Sequence, residues 1–205
     1  MTVGIDLGTT NSLIACHLDG SPTIIPNERG SRLTPSVVSA AESGEILVGE
    51  SAKNQAVVHA DRTVLAVKRS MGTQRTFSLG VRSMSPEEVS SEVLRTLRRS
   101  AERYLGDEVR EAVVTVPAHF TDGQRQATRE AARLAGLQVR TLVNEPTAAA
   151  LSYAEKGGSG KRVVVYDLGG GTFDVTCLER EEEEFFVRST LGDNNLGGID
   201  FDRLL

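Results

Sequence analysis

A strand that ends in a glycine-rich turn occurs twice in this chain, and this repeat limits the possible folds more than any other feature. The first copy is GIDLGTTNS, residues 4–12, and the second is RVVVYDLGGGTFD, residues 162–174. The two copies match at a constant offset of 161 residues: Asp6 with Asp167, Leu7 with Leu168, Gly8 with Gly169 and Cys16 with Cys177. Each copy continues into a second β-patterned stretch, so each predicts a hairpin closed by a glycine-rich turn.

The two turns have the composition of phosphate-binding loops, although neither is a dinucleotide fingerprint or a Walker loop. Glycine permits positive φ and lets backbone N–H groups approach an anion closely, and threonine adds hydroxyl donors. The candidate phosphate-binding residues are Gly8, Thr9, Thr10, Asn11, Gly169, Gly170, Gly171 and Thr172.

Matched carboxylates beside both turns indicate a metal ion. Asp6 and Asp167 would repel a bare phosphate, but they suit a hard divalent cation that lies between them. We therefore expect Mg²⁺, held through water molecules. A single copy would be read as an ordinary glycine-rich hairpin, whereas two copies with matched carboxylates favour the phosphate site.

Composition excludes several classes of protein. A formal charge of −5 and a pI near 5.3 argue against a nucleic-acid partner. No apolar run approaches the ~18 residues that a membrane span needs, and the start MTVGIDLGTT leaves no room for a signal peptide. We therefore expect a cytoplasmic protein without a membrane partner. The two cysteines are expected to be buried rather than disulfide-bonded, and the three histidines, without metal-ligand spacing, to be structural.

Between the two hairpins the sequence predicts a mixed α/β arrangement with an insertion at about 35–110. A core sheet is predicted from strands at 2–7, 12–18, 112–116 and 139–143, with a third N-terminal strand at 23–26. Within the insertion we expect strands at 36–39 and 46–48, and helices at 50–58 and from Pro86 to Gly106. Further helices are expected at 121–136 and after Asn144. Ser85 with Glu88, and Thr121 with Gln124, form capping-box patterns.

The glycine-rich stretch at 157–160 is the most linker-like part of the chain and predicts a boundary between two lobes. The first lobe would comprise residues 1–160, with the insertion inside it. Residues 161–205 would begin a second, truncated lobe with one bare sheet face, so the fragment is expected to self-associate. The glutamate run at 181–184 is interpreted as a charged turn rather than an acidic interaction patch.

Five motifs in order carry a family resemblance: IDLGTTNS, AVKRSMG, VPAHFTDGQR, NEPTAAALSYA and DLGGGTFDVT. With them the chain resembles the DnaK-type heat-shock chaperone family over essentially all of its length, and it matches the N-terminal half of that family's nucleotide-binding domain. It departs from the usual pattern at Asn194, where the family has threonine, and at Ile199, where the family has an acidic residue. In this it is more similar to the HscC branch.

The resemblance implies an actin-like, ribonuclease H-like ATPase fold, with the first lobe complete and the second partial. It implies ATP or ADP with Mg²⁺ as the bound group. Lys68 would reach the γ-phosphate and the attacking water, and Glu145 would place that water. Asp6, Asp167 and Asp174 would organise the metal, with Asp167 also counted as catalytic. Without the resemblance, Lys68 would be read as a surface lysine and Glu145 as a helix-start carboxylate.

Other implied properties concern coupling and partners. Pro117 and Arg125 would relay the nucleotide state to a peptide-binding domain outside this chain, which would bind unfolded polypeptides. A J-domain cochaperone and a nucleotide exchange factor are the implied regulators. Two alternatives share the architecture, a small-molecule kinase of the sugar-kinase type and an actin-like filament protein. The NEPTAAA motif and the insertion with Lys68 argue against the kinase.

Overall fold

A computed structural model describes residues 1–182 and 184–204. Its strands are β1 (Thr2–Leu7), β2 (Asn11–Leu18), β3 (Ser21–Ile25), β4 (Thr34–Pro35), β5 (Val38–Ala40), β6 (Ile46–Val48), β7 (Thr63–Val64), β8 (Phe77–Leu79), β9 (Arg82–Met84), β10 (Glu111–Val116), β11 (Gln138–Asn144), β12 (Arg162–Leu168), β13 (Phe173–Glu181) and β14 (Glu184–Asp193). Its helices are α1 (Glu50–Gln55), α2 (Pro86–Leu105), α3 (Asp122–Leu134), α4 (Glu145–Glu155) and α5 (Gly198–Asp202), with 3₁₀ turns at Ala60–Arg62 and Val67–Ser70.

The main sheet has the strand order β11-β10-β1-β2-β3, with β4 paired to β2. Strands β1 and β2 form the antiparallel N-terminal hairpin, and β10 runs parallel to β1 on its other side. Alternate residues of β1, which are Val3, Ile5 and Leu7, are buried, as the period of a half-buried strand requires. The prediction that strand 112–116 lies beside the N-terminal hairpin is confirmed.

Helices α2 and α3 begin at the two predicted capping boxes. The Ser85 hydroxyl accepts from the Glu88 N–H at 3.2 Å, and the Glu88 carboxylate accepts from the Ser85 N–H at 2.8 Å. Thr121 and Gln124 make the same reciprocal pair. The apolar stripe of α2, at Val89, Val93, Leu97 and Ala101, is buried against the main sheet and α3. The caps fix where these helices start, and the stripes fix which faces they bury.

The insertion at about 35–110 contains a three-stranded sheet, β6-β5-β7, and the hairpin β8–β9. Its apolar residues join those of the main sheet in one continuous core cluster. The helix predicted at 50–58 ends at Gln55, because Val57 and Val58 are exposed and β-branched residues without packing gain little from a helix. The strand expected at 36–39 instead spans Val38–Ala40. The division into lobes and subdomain stays a prediction.

A second sheet has the order β12-β13-β14, fully antiparallel, with α4 beside it. Along β13, Asp174, Thr176 and Leu178 are buried, whereas Val164 and Tyr166 of β12 are 64% and 67% exposed. The predicted charged turn at 181–184 includes residue 183, which lies outside the described residues. In the described ranges no helix is both long and apolar enough to cross a membrane.

Candidate functional site

A cleft of about 650 Å³ lies between the two glycine-rich turns, one from each sheet. It brings together nearly all of the side chains and glycines that the sequence singled out. Of these candidates, the cleft is lined by Asp6, Gly8, Thr9, Thr10, Asn11, Lys68, Glu145, Asp167, Gly169, Gly170 and Thr172. Two candidates, Gly171 and Asp174, are not among the residues that line it.

Direct contact between the turns explains why the second turn is built from glycine. A Cβ atom added to Gly170 would overlap the side chain of Thr10, and one added to Gly171 would overlap Thr9. Gly8 is limited within its own turn, because a Cβ there would overlap the carbonyl oxygen of Asn11. Only residues without a side chain let the backbone of the second turn lie this close to the threonine side chains of the first turn.

One residue outside the first turn, Ser36, donates hydrogen bonds to two of the carbonyl groups of that turn. The Ser36 hydroxyl donates to the carbonyl oxygen of Gly8 at 2.7 Å, and the Ser36 N–H donates to that of Thr10 at 2.8 Å. Ser36 also shares a hydrogen bond of 2.8 Å with Ser12. Sequence reasoning assigned Ser36 only to a short strand and did not foresee this support of the first turn.

All three glycine carbonyl groups of the second turn are also bonded from outside. The Gly198 and Ile199 N–H groups donate to Gly169 and Gly170, each at 3.0 Å. The Arg69 Nε donates to Gly171 at 2.8 Å. Because N–H and C=O point in opposite directions across a trans peptide, the following N–H groups face away from these partners. Within residues 1–182 and 184–204 those N–H groups, at 170–172, have no hydrogen-bond partner and suit an anion.

Lys68 and Glu145 form a buried ion pair at the cleft. Lys68 Nζ lies 2.6 Å from Glu145 Oε1, and the two side chains are only 7% and 14% exposed. Lys68 sits on the 3₁₀ turn Val67–Ser70, which follows Ala66 in the left-handed conformation with φ of 53°. Glu145 is the first residue of α4. The interpretation of Lys68 as a surface lysine is therefore wrong.

Electrostatics at the cleft raise the pKa of two carboxyl groups. Burial raises the pKa of Glu145, and this effect outweighs the opposing attraction of Lys68. Burial also raises the pKa of Asp167, with repulsion from Asp174 and Asp6 adding to it. Concentrated negative charge of this kind favours binding of a cation, which would relieve the repulsion.

Asp6 and Asp174 are each held by a polar partner. The Thr115 hydroxyl donates to Asp6 Oδ1 at 2.8 Å, which leaves the second oxygen of that carboxylate to the cleft. Asp174 is buried and contacts Nδ1 of His119, which follows β10. Sequence reasoning gave His119 only a structural part, yet it contacts a predicted site residue from the other sheet.

The donor chemistry fits a phosphate group with a hydrated cation. Across the described ranges, no three or more His, Cys, Asp or Glu side chains converge to ligate a metal directly. Asp6 and Asp167, which stand just before the two turns, are nevertheless carboxylates that can accept hydrogen bonds from the water molecules bound to Mg²⁺. The backbone N–H groups at 170–172 and the threonine hydroxyls supply the donors for phosphate oxygens.

Arg69 and Asp200 are the other residues of the site that the sequence did not reveal. Their only signals are that Arg69 follows Lys68 within the AVKRSMG motif and that Asp200 lies two residues after the pair Gly197-Gly198. An ordinary Arg or Asp carries no mark of a long-range partner, and these two are 131 residues apart.

Comparisons with known proteins give one consistent family. The family model described as Hsp70 protein matches residues 2–79 and 74–205. The Chaperone protein DnaK of Thermotoga petrophila is 53% identical over 205 residues, an alignment that covers 99% of this chain and 34% of that protein. This chain thus spans about a third of the length of its curated relative.

Proposed function

This chain belongs to the Hsp70 protein family, and we propose that it forms the phosphate-binding part of the nucleotide-binding domain of an ATP-hydrolysing chaperone. The family has the actin-like ATPase fold, and the mixed α/β architecture agrees with it. The observation that carries the proposal is the buried Lys68–Glu145 pair, placed between two glycine-rich turns that both line one cleft. Nothing in the site favours a sugar kinase or a filament protein.

The two turns would bind the phosphates of ATP or ADP. The N–H groups at 170–172 and the hydroxyls of Thr9, Thr10 and Thr172 are the donors, while Gly8, Asn11, Gly169, Gly170 and Gly171 shape the turns. Asp6 and Asp167 would hold Mg²⁺ through water, with Asp174 behind them. When bound, the cation would offset negative charge on the phosphate oxygens.

Lys68 and Glu145 would act on the reacting end of the nucleotide. The Lys68 ammonium is held by Glu145, so its position is fixed before a ligand arrives. Phosphoryl transfer requires chiefly a positioned nucleophile and a cation near the moving group, and Lys68 supplies the second. Glu145 and Asp167 would orient the attacking water, because a carboxylate accepts its protons.

The wider activity follows from the family and is part of the proposal. A region outside this chain would bind unfolded or partly folded polypeptides, and a J-domain cochaperone and a nucleotide exchange factor would regulate the cycle. The net charge of −5 supports a protein without a nucleic-acid partner. We also propose a cytoplasmic location.

The proposal is tested by Lys68→Ala in the complete protein. A cation that acts mainly in the transition state contributes little to ground-state binding. We therefore expect ATP affinity within about threefold of the parent and single-turnover hydrolysis at least ~100-fold slower, since removal of one preorganised donor has that cost.

Lys53→Ala is the matched control, because Lys53 is an exposed lysine on α1 that does not line the cleft. It should leave both affinity and rate unchanged. If Lys68→Ala kept the single-turnover rate of the parent, the assignment of the catalytic lysine would be wrong. If the parent neither bound nor hydrolysed ATP, the proposed function itself would fail.

A further inference from the structure

We infer that Arg69 is a positioning residue, which together with Asp200 holds the second glycine-rich turn in the geometry that presents its N–H groups to phosphate. The inference rests on the proposed function, because it explains how the same cleft is organised. It concerns a residue that makes no contact with the cleft itself and acts through Gly171.

The contacts of Arg69 use three of its nitrogen atoms. Nε donates to the carbonyl oxygen of Gly171 at 2.8 Å. Nη1 donates to Asp200 Oδ1 at 3.0 Å, and Nη2 donates to the second oxygen of the same carboxylate. The paired bonds to Asp200 are the two-pronged arrangement that fits a planar guanidinium to a carboxylate. Arg69 is therefore oriented by Asp200 and in turn orients Gly171.

Asp200 is itself fixed to the segment that supports the turn. Its Oδ2 accepts from the Gly197 N–H at 2.9 Å. A Cβ atom on Gly197 would overlap the backbone of Gly170 and Gly171, so this segment lies directly against the second turn. The next two N–H groups, of Gly198 and Ile199, bond the other two glycine carbonyls. Arg69 completes that set by bonding the third.

The consequence for the ligand follows from peptide geometry. The carbonyl group of one residue and the N–H group of the next residue belong to the same planar peptide unit. A hydrogen bond to the carbonyl oxygen therefore also fixes the direction of that N–H group. The Arg69 bond to Gly171 therefore fixes the direction of the Thr172 N–H. A glycine-rich turn without such bonds has many accessible conformations, and ordering them upon ligand binding would cost affinity.

Arg69 also joins the second turn to the proposed catalytic lysine. Lys68 and Arg69 are neighbours on the 3₁₀ turn Val67–Ser70, and their side chains contact different elements. Lys68 contacts Glu145 on the first-sheet side, while Arg69 reaches the second turn and α5. One short segment thus sets the relative placement of the ammonium group and the phosphate-binding turn.

The burial of the Arg69–Asp200 pair separates it from ordinary surface pairs. The side chains are 15% and 26% exposed, against 62% and 59% for the Arg103–Glu28 pair. The hydrogen bond from Arg69 lowers the pKa of Asp200, so the carboxylate is charged at neutral pH.

The test uses Arg69→Met, Arg69→Lys, Asp200→Asn and the double variant Arg69→Met/Asp200→Asn in the complete protein. Calorimetry with ADP and Mg²⁺ measures affinity, and single-turnover assays measure the rate. Loss of a charge-assisted hydrogen bond typically weakens an interaction about tenfold or more, so we expect Arg69→Met to weaken ADP binding by about tenfold. Arg69→Lys should not restore affinity, because an ammonium cannot make the two-pronged contact together with the Gly171 bond.

The double variant should bind ADP no more weakly than Arg69→Met alone, because both substitutions remove the same Arg69–Asp200 contact.

Arg95→Met is the matched control. Arg95 also bonds a backbone carbonyl, that of Leu134 at 2.9 Å, and a carboxylate, Glu92 at 2.6 Å, and it does not line the cleft. It should change stability in urea without changing ADP affinity.

Three results would overturn the inference. One is ADP affinity and rate within twofold of the parent for Arg69→Met. Another is full restoration by Arg69→Lys, which would show that charge alone suffices. A third is an equal affinity loss in Arg95→Met, which would show a general effect of stability. If the parent protein bound no nucleotide, both this inference and the proposed function would be wrong. If the parent bound nucleotide and one of the three results above were found, only the inference about Arg69 would be wrong.

Discussion

Burial and a neighbouring charge shift the pKa of the residue Glu145 in opposite directions. Its carboxyl lies in a poorly solvated position at the start of α4, where burial raises its pKa while Lys68 lowers it. Asp6 and Asp167 add repulsion. Because burial and nearby charges both act on the pKa of Glu145, a charged ligand that binds close by would readily change the protonation of this carboxyl group. Carboxyl groups with perturbed pKa values are typical of functional sites.

Glu145→Ala should lower the single-turnover rate of ATP hydrolysis by less than Lys68→Ala does. Water can still enter the cleft when the carboxylate is removed, and Asp167, which also lines it, can still accept a hydrogen bond from that water. The measurement is single-turnover hydrolysis in the complete protein at saturating ATP.

Glu155→Ala serves as the control, since Glu155 ends the same helix outside the cleft. It should hydrolyse ATP at the parental rate. A Glu145→Ala rate at or below that of Lys68→Ala would contradict this ranking and would assign the glutamate the larger share of the catalysis.

At the level of elements, the capping box of α2 should contribute measurably to stability. Ser85→Ala removes the acceptor of the Glu88 N–H and should lower the free energy of unfolding by about 1 kcal/mol. Urea denaturation followed by circular dichroism would measure this loss. Ser83→Ala is the comparison, since within the described residues the Ser83 side chain makes no hydrogen bond and its loss should cost little.

Elements with local signals were predictable from the sequence. The starts of α2 and α3 follow from reciprocal side-chain caps within four residues, and the two hairpins follow from the repeated turn sequence. The end of α1 was not predictable, because it depends on whether Val57 and Val58 find a surface to pack on, and among the described residues they find none. Local patterns cannot report such an absence of tertiary partners.

The residues of the site also fall into some that the sequence could predict and some that it could not. Its glycines, threonines and carboxylates carry local chemistry, and the sequence repeat predicts that they lie in or beside matched turns. The burial of Lys68 depends on its contact with Glu145 of α4, and Arg69 meets Asp200 of α5, and these partners are 77 and 131 residues away in the chain. For Lys68 the family resemblance supplied what residue chemistry could not, and for Arg69 nothing did.

For the whole molecule, this 205-residue chain should bind ATP no better than in the millimolar range, although it carries both phosphate turns. The adenosine would have to be held mainly by residues outside the chain, and loss of a buried aromatic-sized contact costs about 2 kcal/mol or more. Isothermal calorimetry would measure the affinity, with the complete protein as the reference. A micromolar dissociation constant for the chain alone would contradict this expectation.

The parallel pairing of β1 with β10 has a consequence for how the molecule is made. Thr2 pairs with a partner 109 residues later, so one edge of the N-terminal hairpin has no partner while a ribosome synthesises the intervening chain. Pairings of such long range close slowly, and an open strand edge recruits other strands in the meantime. A nascent copy is itself the kind of substrate that a chaperone protects.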